Sequence, residues 1–184
     1  MEGVVQENII CKKYNIDLYK KDSSHFSLYL DIINPRIIIP NLINLEIYSL
    51  IAKLNTDVLE RIQITNVFSE NKISILFIFK RFGAEIGISQ KYMHTLIEQQ
   101  IEDNTITFRS KSIPLTQEIP ENCERVSSNN ASLVVNISNP HDITISYDFH
   151  MDLNEDLPIY MENISGLLIK KIFLRLKVFI EGIK

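Results

Sequence analysis

Residues 161–184 read MENISGLLIKKIFLRLKVFIEGIK, and the spacing of their apolar side chains decides what kind of fold the chain forms. Met161, Ile164, Leu168, Ile172, Leu176, Phe179 and Ile183 recur every three or four residues, which is one face of an α-helix. Ile169, Phe173 and Ile180 add a second row, so the apolar face is far wider than a coiled-coil seam. Pro158 suits the first turn of this helix, with Asp156 just ahead to complement its dipole. Lys170, Lys171, Arg175 and Lys177 read as its solvated, positively charged far end. Read instead as the rim of a membrane-surface helix, they would need a helix that packs on nothing else, which so broad a face disfavours. The helix must lie against a large apolar surface.

That surface is written in the preceding residues as period-two alternation. Tyr14, Ile16 and Leu18, then Phe26, Leu28 and Leu30, flank the polar stretch Lys20–Ser24 and predict a hairpin. Pro35 and Pro40 cut the next region into short pieces, and Asn41 is placed to cap a helix running to about Leu54. Alternation returns with Ile62, Ile64 and Phe68. Ile73, Ile75, Phe77 and Phe79 then share one face of a strand whose other face holds Leu76 and Ile78, so this strand is expected to be covered on both sides. Tyr92–Ile101 has helical length, but Met93, Thr95, Ile97, Gln99 and Ile101 alternate. They turn through Glu102-Asp103-Asn104 into Ile106 and Phe108, which favours a hairpin. Ser110–Asn130, with Pro114 and Pro120, is the longest polar stretch and reads as a loop, an edge excursion or a functional lid. Leu133, Val135 and Ile137 lead through Ser138–Asp142 into Ile143, Ile145, Tyr147, Phe149 and Met151, a further hairpin.

Length and composition bound the function. The chain has 184 residues, 45% hydrophobic and 23% charged, with net charge −4. It is read as one domain, residues 1–184, with a sizeable core. A sequence pI of about 5.6 argues against general nucleic-acid binding, which needs a basic surplus. Two cysteines, Cys11 and Cys123, make no disulfide scaffold and fit a reducing compartment. Met1–Ile10 carries Glu2 and Glu7 and no basic residue, so neither a signal nor a transit peptide is expected. No apolar run approaches the roughly 18 residues of a spanning helix, so no stable membrane insertion is expected. The counts of 32 Ile and 16 Asn against 3 Ala fit an A+T-rich coding bias, as in plastid genomes among others. A soluble protein of the cytoplasm or plastid stroma is the expectation. Asn-x-Ser triplets at Asn130, Asn136 and Asn163 then read as products of Asn richness.

Chemistry-bearing motifs are sparse. GxGxxG, GxxxxGK[ST], GxSxG, HExxH and CxxC are all absent, and no cofactor or metal is expected. His141-Asp142 lies in a turn, where such residues are ordinary. His150 and Asp152 share a face at a strand end, and Glu98 with Glu102 and Glu155-Asp156 read as solvated surface.

The succession of strand, two short proline-cut helices within Asp31–Leu54, antiparallel strands and one long terminal helix resembles the START-like superfamily, with its polyketide-cyclase and Coq10-like members. Residues 143–153, Leu157-Pro158, Ile164-Ser165-Gly166-Leu167-Leu168 and 176–181 carry the likeness. A weaker one, through Leu-Leu followed by Ile-Lys in the helix, is to a plastid and cyanobacterial branch. The resemblance implies an α+β helix-grip fold: a curved antiparallel sheet wrapped around a long C-terminal helix, with two short helices after the N-terminal strand. It also implies a cavity for a hydrophobic small molecule such as a lipid, quinone or pigment. Ile75, Phe77, Phe108, Ile164, Leu168 and Ile172 would wall it, each having core packing as the plainer reading. Arg109 would be a polar anchor inside the pocket or an exposed strand arginine. The first functional expectation is a non-catalytic carrier. A protein-interaction or assembly factor, docking through Ser110–Asn130 or an open sheet edge, comes second, and a cyclase- or dehydratase-like enzyme third.

Overall fold

Alternating side chains send every second residue to one face, and a strand buries one row only if neighbouring strands supply a continuous surface. A computed structural model, describing residues 8–84, 87–127, 130–157 and 161–184, shows how the chain does this. Three strands open it: β1 (Asn8–Lys13), β2 (Ile16–Lys20) and β3 (His25–Ile33). A single 3-10 turn, Ile39–Leu42, and the helix α1 (Ile47–Leu54) follow. Then come β4 (Leu59–Ser69), β5 (Lys72–Phe79), β6 (Gln90–Glu102), β7 (Thr105–Ser112), the short β8 (Cys123–Arg125), β9 (Ala131–Asn139) and β10 (Asp142–His150). The helix α2 (Ile164–Gly182) closes the chain.

The strands form one sheet in the order β1-β2-β3-β10-β9-β7-β6-β5-β4, antiparallel throughout. β8 pairs parallel with the start of β6, at Gln90–Tyr92, which β7 does not reach. The hairpins read from alternation are present: β2–β3, β6–β7 and β9–β10. β1 is an addition that the pattern did not announce. Its residues are largely exposed, so no inward row marks it, and Tyr14-Asn15, both at positive φ, turn it back onto β2.

Two boundaries differ from expectation. Asn41 does not cap a helix. Pro40 opens a lone 3-10 turn, Asn44 Oδ1 accepts the Glu46 backbone N–H at 2.8 Å, and α1 begins only at Ile47. α2 begins at Ile164 behind Asn163, while Pro158 lies outside the described residues. No helix among the described residues is long and apolar enough to cross a membrane.

α2 lies against β2, β3 and α1. Ile169, Ile172, Phe173, Leu176 and Ile180 are its buried centre, while Phe179, assigned to the apolar face by spacing, is 41% exposed. Gly166 marks the closest approach to the sheet. A Cβ there would stand 2.8 Å from Cδ1 of Phe26, a fully buried ring stacked on Phe149. At the other end Asn34, itself buried, donates from Nδ2 to the carbonyls of Ile180 (2.7 Å) and Ile183 (2.9 Å), satisfying groups that a helix terminus leaves open. Arg175 and Lys171 both bind Asp57 just after α1, and that carboxyl is held well below its usual range, first by the Arg175 bond and then by Lys171. The basic residues are therefore not one solvated end: Lys170 and Lys177 are each only 7% exposed.

Part of the polar stretch Ser110–Asn130 covers the sheet face away from the main core. Leu115 and Ile119 pack with Cys123 on Leu76, Ile78 and Tyr92, the second face expected to be covered on β5. His94 fastens the segment, one ring nitrogen on Pro114 O (2.8 Å) and the other on Thr65 Oγ1 (2.9 Å).

Replacing Gly166 with Val tests the packing of helix on sheet. The larger side chain meets a ring that cannot leave its stack, and a loss of about 1–3 kcal/mol in denaturant unfolding is expected despite the better helix propensity of valine. Unchanged or increased stability would show that α2 does not sit at this distance.

Candidate functional site

A sheet that curls round a helix leaves space wherever inward side chains from opposite sides fail to meet. Here that space is a cavity of about 100 Å³ between the sheet, α1 and α2. Ile47 and Ile51 of α1, Phe77 and Phe79 of β5, Met93 and Ile97 of β6, Val135 and Ile145 of the β9–β10 hairpin, and Ile169, Ile172, Phe173 and Leu176 of α2 line it. Leu59, Leu133 and Ile43 complete the apolar wall.

Three hydroxyl-bearing side chains interrupt this wall: Tyr48, Thr95 and Tyr147. None of their hydroxyls has a protein hydrogen-bond partner among the described residues. Their rings are fixed by packing. Tyr48 stands edge-on to Phe77 and Phe108, with centroids at 6.0 and 6.4 Å, and Tyr147 lies between Phe149 (4.8 Å) and Phe173 (5.2 Å). Burial pushes the Tyr48 phenol well above its ordinary range, with the Tyr147 phenol adding to the effect. Burial first, and the Asp148 charge second, push Tyr147 up to about 12. Both phenols stay protonated at any ordinary pH, and both side chains line the cavity.

Of the residues expected at such a site, Phe77 and Ile172 line the cavity. Ile75 and Phe108 are buried in the core around it, and Ile164 and Leu168 pack half-buried at its margin. Arg109 is exposed on the other face of the sheet. Phe108 points inward, so the next residue of β7 points out, opposite Glu98 and Ser132. Arg109 therefore does not line this cavity. Sequence reasoning missed the tyrosines. The available signal was a Tyr standing in an otherwise apolar inward row, Ile143-Ile145-Tyr147-Phe149, since a phenol brings a polar tip to that row.

Other polar clusters lie outside the cavity and are internally satisfied. Lys91, fully buried, gives one bond to Glu124 (2.8 Å) on β8 and one to Glu155 (2.7 Å) on the segment leading to α2. Ser89 Oγ bonds the same two carboxylates at 2.6 and 3.0 Å. Burial by itself would lower the Lys91 ammonium; its bonds to Glu124 and Glu155 outweigh that and hold it above its usual value. The Lys91 bond, first among the causes, holds both carboxyls below theirs.

A second cluster contains Ser27, His25 and Asp148, the components of a hydrolytic triad. The aspartate stands in the middle: His25 Nε2 meets Asp148 Oδ1 at 2.6 Å, and Ser27 Oγ donates to Asp148 Oδ2 at 3.0 Å. A triad needs the imidazole between hydroxyl and carboxylate. His25 instead stacks on His150 at 4.0 Å, so this arrangement cannot activate Ser27. His141 lies in the β9–β10 turn, its Nδ1 2.7 Å from Ile37 O, and no group of three or more metal-ligating side chains converges among the described residues.

The geometry of curled sheet, terminal helix and cavity can be compared with solved structures. Human STARD10 superimposes with a TM-score of 0.75, covering 97% of this chain and 74% of its own at 13% identity. The lipid transfer and protein localization domain of human StarD13 also reaches 0.75, over 98% and 91% at 10% identity. The fold is START-like. The Zhui aromatase/cyclase from Streptomyces sp. R1128 shares this START-like fold more distantly, at 0.51 over 86% and 91% with 8% identity. No protein-family model and no curated protein matches the sequence.

The Lys91 clamp predicts a pH signature. Carboxyls whose folded pKa lies below the usual 4.5 contribute stability that is present above that value and lost as pH falls through their folded pKa. The raised Lys91 contributes below its usual 10.5 and loses that contribution as pH rises through its folded value. Lys91→Met should lower Tm at pH 7 by on the order of 5 °C. The gap should narrow below pH 4.5 and at strongly alkaline pH. A gap of constant size across that range would mean that the loss comes from packing alone.

Proposed function

We propose that this chain is a non-catalytic binding module for a hydrophobic small molecule held between the sheet and α2. The observation that carries the reading is the conjunction in one cavity of an apolar wall with phenol donors that have no protein partner. The two tyrosines are half-buried, and a phenol with no protein partner is open to a hydrogen bond with a ligand that enters the cavity. The volume corresponds to roughly three waters' share of the liquid at about 30 Å³ each, enough for a compact ring or the end of a longer molecule. Among lipids, quinones and pigments, the donors favour a molecule with a carbonyl or similar acceptor on an apolar frame. The neighbours known as lipid-transfer proteins support a hydrophobic cargo. Among the described residues the cavity lining includes no histidine, lysine, arginine or carboxylate, and the two phenols hold their protons too firmly to act as bases, which favours binding over cyclase chemistry.

A second reading, assembly with a protein, has one specific support. β4 is an edge strand, and its exposed side chains include Ile64, Val67 and Phe68. Its pairing with β5 is interrupted three times by bulge-like irregularities, a feature that discourages further strand addition and places this reading behind the first.

Two probes of similar size separate recognition from filling. Cyclohexanone should perturb the NMR signals of cavity residues at lower concentration than methylcyclohexane. Tyr48→Phe and Tyr147→Phe should each weaken the ketone by up to about tenfold, leave the hydrocarbon unchanged and, having no protein bond to lose, keep Tm within a few degrees. Equal binding of both probes would defeat the acceptor assignment. Binding of neither, together with native mass spectra of the gently purified protein that carry no extra mass, would defeat the carrier reading itself.

A further inference from the structure

Lys170 sits on α2 with 7% of its surface exposed, and its Nζ donates to Cys11 Sγ on β1 at 2.9 Å. Among the described residues that sulfur is its one hydrogen-bond partner, and no carboxylate lies within ion-pair distance. The other basic residues of the helix are matched with oxygen: Lys171 and Arg175 with Asp57, Lys177 with Glu181 and the Asp31 carbonyl. A buried ammonium ordinarily requires an anionic or strongly accepting partner. Here the group supplied is a thiol, and in its thiolate form sulfur is the nucleophile that reacts with peroxide. Cys11 is half-buried, within reach of small reagents, whereas Cys123 is buried and burial, first among the causes, raises its thiol.

We propose that Cys11 and Lys170 form a peroxide-responsive modification site that closes into a sulfur–nitrogen bond. The Cys11 thiolate attacks hydrogen peroxide: an S–O bond forms, the O–O bond breaks, and the hydroxide released takes a proton from the Lys170 ammonium to give water. The neutral amine then attacks the sulfenic sulfur. The S–N bond forms, the S–O bond breaks, and the departing hydroxide takes a second proton from nitrogen. Sulfur is oxidised by two electrons, peroxide is reduced to two waters, and a sulfenamide joins Cys11 to Lys170. The reactants already stand at hydrogen-bond distance, so closure needs only a small approach of the side chains. The product staples the edge strand β1 to the helix that walls the cavity, across 159 positions of sequence. The chemistry does not depend on any ligand.

Peroxide treatment of the full chain, followed by intact-mass and peptide mapping without reductant, tests this directly. The expected result is a loss of two hydrogens, restored by dithiothreitol, and one branched peptide linking Cys11 to Lys170. Lys170→Gln should abolish the branch and leave a Cys11 sulfenic acid that dimedone traps. Addition of one or more oxygens at Cys11 with Lys170 free in the wild-type chain would overturn the proposal. So would a bridge that keeps an oxygen between sulfur and nitrogen, or no reaction at Cys11. The wild-type map decides the question even if Lys170→Gln fails to fold.

Discussion

The burial of α2 against the concave side of the sheet is the interaction on which the rest of the molecule depends. A face two rows wide cannot be covered by a neighbouring helix alone, and the sheet has to curl to reach it. Gly166 lets the helix backbone come down onto the Phe26 ring, Asn34 ties its last carbonyls to the segment after β3, and Arg175 with Lys171 ties its flank to Asp57 beyond α1. These anchors hold the helix at both ends and on one side. Close packing where α2 meets β2 and β3 is combined with a gap where it faces β5, β6, β9 and β10.

The polar groups of the protein divide sharply. Outside the cavity, charged clusters satisfy themselves: Lys91 with Glu124 and Glu155, His25 and Lys21 with Asp148, His94 between Thr65 and Pro114. These clusters cross-link segments and reach no common reacting point. Inside it, Tyr48 and Tyr147 are held by aromatic neighbours, and their hydroxyls have no protein acceptor among the described residues. Their placement gives an otherwise apolar wall its polar points. Lys170 is the exception on the outside, an ammonium given to sulfur while its neighbours on the helix were given to oxygen.

Local periodicity made most of the fold legible. The hairpins of β2–β3, β6–β7 and β9–β10, the double coverage of β5 and the existence of α2 all follow from repeats of two or of three and four. Boundaries were less legible. Asn41 has the chemistry of a helix cap, yet the Asn44 side chain claims the Glu46 amide and delays α1 by a turn. β1 escaped notice because a mostly exposed edge strand has no inward row to betray it. Arg109 had two readings until the register placed Phe108 inward and sent the arginine to the opposite face.

By itself, then, the amino-acid sequence determined that a broad-faced helix follows a long antiparallel run and must be gripped by it, because apolar spacing within one segment is a local property. Only the tertiary structure decided which inward side chains leave a gap, that Tyr48 and Tyr147 face it, and that two of the four lysines and arginines on α2 are buried. Those facts depend on the distance between elements far apart in the chain. That distance is set by a glycine meeting a phenylalanine ring and by the curl of the sheet, which no repeat in the sequence records.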